Sequence, residues 1–186
     1  MPDIDVIKSA EERMQKTLQA LRKDLSTIRA GRALPSLLDK ISVDYYGQPT
    51  PINQMAGINC PDARTILIQP WDASTLRTIE KAIQASDLGI NPQNDGVVIR
   101  LIIPALTEQR RRELSKTVEK KGEEAKVALR NIRRDANEET KKEQKAKTIT
   151  EDDEKQALEE IQKLTEKYIK EVDVIIDTKK KEIMEV

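Results

Sequence analysis

The chain has 186 residues, of which 37% are hydrophobic, 2% aromatic and none Phe, so a single large spherical core is disfavoured. Lys+Arg and Asp+Glu number 33 each, and the zero net charge points to no partner by itself. The chain contains no histidine, which removes the usual general base, the commonest transition-metal ligand and every His-dependent triad.

From Ile4 to Ile28 apolar residues recur at heptad spacing, with Ile4, Leu18 and Leu25 in one position, broken by Glu11, and Ile7, Met14, Leu21 and Ile28 in the other. This predicts one amphipathic helix of about six turns. It runs out near Gly31 and Pro35, a capping residue and a breaker.

The pattern then changes as far as Pro104. Ile41 to Tyr45 alternates like a half-buried strand, followed by a turn at Gly47-Gln48-Pro49. Thr65 to Ile68 reads as a second strand. Ser74 is placed to cap a short helix carrying Leu76, Ile79 and Ile83 on one face and ending at Leu88-Gly89. After Asn94-Asp95-Gly96, the run Val97 to Ile103 is the strongest strand candidate.

Helical period returns at Thr107, a potential N-cap. Leu114, Val118, Ala125, Leu129, Ile132 and Ala136 mark a stripe on a helix reaching about Lys147. Thr150 with Glu151, Asp152 and Asp153 is a second start signal, a hydroxyl cap with carboxylates at the positive end of the dipole. The last helix is predicted to bury Leu158, Ile161, Leu164, Tyr168, Val172, Ile175, Ile176 and Ile183.

Long helices with narrow apolar stripes must pair. The expected fold is therefore α+β: a long antiparallel three-helix bundle from 1–31 and 105–186, interrupted by a small mixed β/α domain over 32–104. Arg32, Ala33, Leu34 and Pro35 on one link, and Pro104, Ala105 and Leu106 on the other, form the expected hinge.

Charge is distributed unevenly. Thr107 to Lys147 carries fourteen basic against nine acidic residues, and Thr148 to Val186 seven against twelve. In Arg130-Asn131-Ile132-Arg133-Arg134-Asp135-Ala136-Asn137, core-facing Leu129, Ile132 and Ala136 leave Arg130, Arg133 and Arg134 grouped at spacings of three and four. Two readings stay open. Such guanidinium groups suit phosphate oxygens and bases, or they form a solvated face relieved by carboxylates of the acidic last helix. Arg110-Arg111-Arg112, Arg29 and Arg32 add cationic character towards the hinge end. No aromatic residues accompany these arginines, which disfavours stacking on single-stranded bases and favours the backbone of folded RNA.

No metal site and no cofactor is expected, because Cys60 has no partner and no Gly-rich phosphate loop occurs. The four carboxylates Glu151 to Glu154 read as a helix start rather than a metal cluster. The lone cysteine fits a reducing compartment, and no signal peptide, transit peptide or membrane span is seen, so a cytoplasmic, non-membrane protein is expected.

The stretches Ser26 to Ala33, VDYYGQPTPINQMA, IEKAIQASDLGINPQNDG, IIPALTEQRRREL and RNIRRDAN together resemble the bacterial ribosome recycling factor family nearly end to end. The resemblance implies an L-shaped pair of domains, similar in outline to a transfer RNA, on the large subunit of a post-termination ribosome. Elongation factor G would be the partner, its GTP hydrolysis helping to separate the subunits and release messenger and transfer RNA. It also implies that Arg130, Arg133 and Arg134, with Arg29 and Arg32, face 23S rRNA, and that the small domain swings towards elongation factor G; by their charge, Arg110 and Arg111 are expected to extend this RNA-binding surface. No enzymatic activity is expected, and a monomer suffices because the bundle closes its own core. Gly122 departs from the Ala expected there, at a helix-propensity cost of about 1 kcal/mol. A helical scaffold is the rival reading, and an enzyme using carboxylates alone a more distant one.

Overall fold

The computed structural model describes residues 4–28 and 31–185. Helices α1 (Ile4–Ser26), α3 (Glu108–Lys145) and α4 (Glu151–Met184) make one compact unit; the chain between α1 and α3 makes the other, ending at Thr107. The fold is α+β, with a helical bundle and a separate small sheet domain.

In the bundle, α3 and α4 run antiparallel. Glu119 faces Lys180, Lys126 faces Asp173 at 2.7 Å, and Arg133 faces Gln162 at 3.3 Å, so numbers fall on one helix as they rise on the other. Helix α1 packs against both, with Arg13 reaching Asp135 of α3 at 3.2 Å and Glu11 accepting a hydrogen bond from the Tyr168 hydroxyl of α4 at 3.1 Å. Glu11, the break in the expected apolar repeat, thus has a polar partner at the seam.

The buried line on α1 is Val6, Ala10, Met14, Leu18, Leu21 and Leu25. Val6 and Ala10 take inward places one residue ahead of Ile7 and Glu11, while Ile7 and Ile28 are half-buried. On α3 all six expected stripe residues are buried, joined by Gly122 and Thr140. On α4, Leu158, Leu164 and Ile175 are half-buried, and Ala157 and Thr165 take the seam instead. Steps of four outnumber steps of three along all three helices. The period is about 3.7 residues per turn, close to that of an eleven-residue repeat, so heptad spacing was too short a ruler. The buried Thr140 and Thr165 hydroxyls donate to Ala136 and Ile161 carbonyls at 2.8 Å, so neither is left unpaired.

Helix α1 stops at Ser26, ahead of Gly31, because the Ser26 and Thr27 hydroxyls donate to the Lys23 and Asp24 carbonyls at 2.6 and 2.7 Å and occupy its terminal acceptors. Helix α4 begins as expected. The Thr150 hydroxyl accepts from the Asp153 N–H at 3.1 Å, and the Asp153 carboxylate accepts from the Thr150 N–H at 3.2 Å. The bond from the Thr150 N–H first, and then the Thr150 side chain, hold the Asp153 carboxyl below its ordinary value. Thr150→Ala should therefore cost about 1 kcal/mol in urea unfolding at pH 7. A lowered folded-state pKa gives a contribution present above the unfolded value and lost as pH falls through the folded one. Alanine keeps the Thr150 N–H, the larger cause, and loses only the side-chain bond, so the wild-type advantage should shrink slightly below about pH 4; a pH-independent gap would separate the hydroxyl cap from Asp153.

The small unit holds a hairpin of β1 (Ser42–Tyr45) and β2 (Gln48–Pro51), and an antiparallel sheet in the order β3-β4-β6-β5, formed by β3 (Ala56–Asp62), β4 (Thr65–Pro70), β6 (Ile99–Ile102) and β5 (Gln93–Asn94). Helix α2 (Leu76–Ala85) buries Leu76, Ile79 and Ile83 in the same apolar cluster as Ile66 and Ile68 of β4 and Ile99 and Leu101 of β6.

Three sequence expectations change here. The first hairpin turns at Tyr46-Gly47, both at positive φ, and Gln48 to Pro51 is strand rather than turn. A two-residue turn makes Tyr45 and Gln48 a hydrogen-bonded pair, which leaves Pro49 and Pro51 at non-bonded positions where a missing N–H costs nothing. Asp72, not Ser74, caps the turn leading into α2, accepting from the Ser74 N–H and hydroxyl at 3.0 and 2.7 Å. Finally, β6 starts at Ile99 because the Asp95 carboxylate accepts from the Val97 and Val98 N–H groups at 2.9 and 2.8 Å and draws both into the preceding turn.

Candidate nucleic-acid interface

Arg130, Asn131, Arg133, Arg134, Asn137, Glu138 and Lys141 line one shallow depression on α3. The placement follows from the helix period: with Leu129, Ile132 and Ala136 buried, residues 130, 134 and 141 must point away from the bundle. Arg130 and Arg134 are exposed and Arg133 is half-buried.

Electrostatics separates the two readings of this cluster. Among the described residues, no carboxylate forms an ion pair with Arg130, Arg133 or Arg134. Asp135, the adjacent acid, is engaged by Arg13 of α1. On the acidic helix α4, Asp173 pairs with Lys126, whose ammonium pKa is raised first by that hydrogen bond, and Glu182 pairs with Lys179. What α4 offers Arg133 is the neutral amide of Gln162, itself bonded to Glu166 at 3.0 Å. A guanidinium held by an uncharged acceptor keeps its charge available to an anion.

The other expected residues are placed differently. Arg110 pairs with Glu113 at 3.1 Å, and Arg112 with Glu108 at 2.5 Å, both as exposed neighbours on α3. Arg111 donates to the Met184 carbonyl at 3.2 Å, at the last residue of α4, where a cation also suits the negative end of the dipole. Arg32 is exposed, and Arg29 lies outside the described residues.

Of the expected hinge, Arg32 to Leu34 and Pro104 to Leu106 adopt no helix or strand. Ala33 is buried and its N–H donates to the Ala63 carbonyl at 2.7 Å; the Ile103 N–H donates to the Arg64 carbonyl at 2.7 Å, so both segments are tied to the β3–β4 turn. Pro35 opens a 3₁₀ turn. Gly31 sits at φ +70° with Leu106 against it, so close that a Cβ would lie 2.9 Å from Leu106 Cγ. No described helix is long and apolar enough to cross a membrane.

Comparison with known proteins agrees with this architecture. The family model described as "Ribosome recycling factor" matches residues 21–184. The ribosome-recycling factor of Syntrophomonas wolfei is 60% identical over 182 residues, 98% of each chain, and that of Brevibacillus brevis 59% identical over 181 residues, 97% of this chain and 98% of its own. Among solved structures, the solution structure of a ribosome recycling factor superposes with a TM-score of 0.74 at 43% identity, covering 98% of this chain and 97% of that one. A second, also 43% identical, with a TM-score of 0.62 and 98% and 99% coverage, depicts the T. thermophilus ribosome recycling factor and E. coli elongation factor G bound to the E. coli post-termination complex. With nearly its whole length matched in sequence and in fold, the chain belongs to the ribosome recycling factor family.

Proposed function

We propose that the protein docks its helical bundle on the 23S rRNA of the large subunit of post-termination ribosomes and, with elongation factor G and its GTP hydrolysis, splits the subunits and frees messenger and transfer RNA. The observation that carries the docking is the set of arginines at 130, 133 and 134 with no carboxylate partner among the described residues. The family relative seen with elongation factor G on a post-termination complex supports the choice of partners. Arg110, Arg32 and Arg29 supply further positive charge to the interaction, and Arg111 contributes chiefly by holding the end of α4.

In this reading the chemical step, GTP hydrolysis, belongs to the partner, and the chain has no histidine to offer as a general base. It acts as a cytoplasmic monomer, the links around Arg32–Pro35 and Pro104–Leu106 letting the small domain move. Light scattering of post-termination ribosomes tests this directly. Subunit separation should need this protein, elongation factor G and GTP together; separation with any one omitted, or none with all present and the protein folded, would refute it.

A further inference from the structure

Val127 has 51% of its surface exposed on α3. It lies midway between buried Ala125 and Leu129 along the helix, half a turn from the seam, so it points straight out of the bundle. Val is also a poorer helix former than the Lys, Glu or Ala that an exposed helical site favours. Neither packing nor propensity therefore accounts for a β-branched residue here.

Its neighbours do. Residues three, four and seven positions on from Val127 share its face, and these are Arg130, Asn131 and Arg134. All three line the depression described above, and neither arginine has a carboxylate partner among the described residues. One turn of cationic and amide groups thus continues into an apolar knob at about 5 to 6 Å along the helix axis. Phosphates suit the arginines. The ribose and base edges exposed between phosphates in the wide minor groove of an RNA helix suit an uncharged methyl pair.

We propose that Val127 is part of the docking surface and packs against the sugar–base edge of the ribosomal RNA whose phosphates Arg130 and Arg134 hold, adding a share of affinity that salt does not screen. This deepens the docking reading and rests on it. Cation contacts lose affinity as salt rises because counterions are released, by about one unit of log–log slope per phosphate, whereas apolar contact has no such dependence. The two kinds of contact are therefore separable in one titration.

The experiment measures binding of the full chain to purified large ribosomal subunits across a potassium chloride series, for wild type, Val127→Gln and Arg134→Gln, with thermal melts checking the fold. Gln is a good helix former and should leave stability unchanged. Val127→Gln is expected to weaken binding about five- to tenfold at every salt with an unchanged slope. Arg134→Gln is expected to weaken binding and flatten the slope by about one. Wild-type affinity for Val127→Gln beside weakened Arg134→Gln would overturn the role of Val127 and leave the docking surface standing. A flattened slope for Val127→Gln would overturn the apolar contact. Unchanged binding by both variants would overturn the docking reading itself.

Discussion

A chain carrying Arg130→Glu and Arg134→Glu is expected to bind large ribosomal subunits about 100-fold more weakly than wild type at physiological salt, with its helicity intact. Both side chains are exposed, and among the described residues neither ion-pairs, so the folded chain loses no ion pair when they change. The bound state loses two charge-assisted contacts to phosphate and gains two repulsions. Arg133 is the less clean probe: it is half-buried and donates to Gln162, so Arg133→Ala removes a link between α3 and α4 as well as a charge. The glutamine pair, Arg130→Gln with Arg134→Gln, serves as the control, since it removes charge without adding repulsion. Its affinity should fall between wild type and the glutamates, and its salt dependence should be shallower by about two log units per decade. Wild-type affinity for the glutamate pair at low and high salt, with circular dichroism unchanged, would remove this face from the interface.

The long helices were legible because their apolar residues repeat over many turns, and the start of α4 because a hydroxyl and a carboxylate three residues apart close a capping box. Periodicity showed less well which residues close the seam. Thr140 and Thr165 are buried although polar, since each hydroxyl finds a carbonyl one turn back within its own helix, a solution that a hydrophobic pattern cannot reveal. Strand β2 reads in part as a turn at Gly47-Gln48-Pro49, and periodicity marks no strand at β3; Pro49 and Pro51 occupy non-bonded register positions, and Pro61 falls within the irregularity between Asn59 and Asp62. The grouping of Arg130, Arg133 and Arg134 follows from spacing alone. Its lack of neutralisation does not, because Asp135 is adjacent in sequence and becomes unavailable only through Arg13, 122 residues away. Arg111 illustrates the same limit: three consecutive arginines look alike until the end of α4 is brought to one of them.

Gly122→Val is expected to destabilise the bundle by about 3 kcal/mol, lowering its thermal midpoint by roughly 10 °C. On helix propensity alone the change should help by a few tenths of a kcal/mol, since Gly is the poorest ordinary helix residue. Packing decides the sign. A Cβ at 122 would stand 2.7 Å from Cγ1 and 2.9 Å from Cδ1 of Ile176, a buried residue of α4, so the glycine is the notch into which that isoleucine seats. Val118 and Ala125 beside it on α3 and Val172 one turn before Ile176 on α4 are also buried, so Ile176 has to shift within a packed seam. What reads in sequence as a weak point in a long helix is thus a place of close approach between α3 and α4. Ile176→Ala should cost about 2–5 kcal/mol by itself through the cavity it leaves. Combined with Gly122→Val, the new methyl groups enter that cavity, so the double variant should be more stable than the sum of the two losses predicts by at least about 1 kcal/mol. Urea unfolding of the four proteins measures the coupling. Strict additivity, or a Gly122→Val chain as stable as wild type, would mean that Ile176 repacks freely and that the glycine serves no notch.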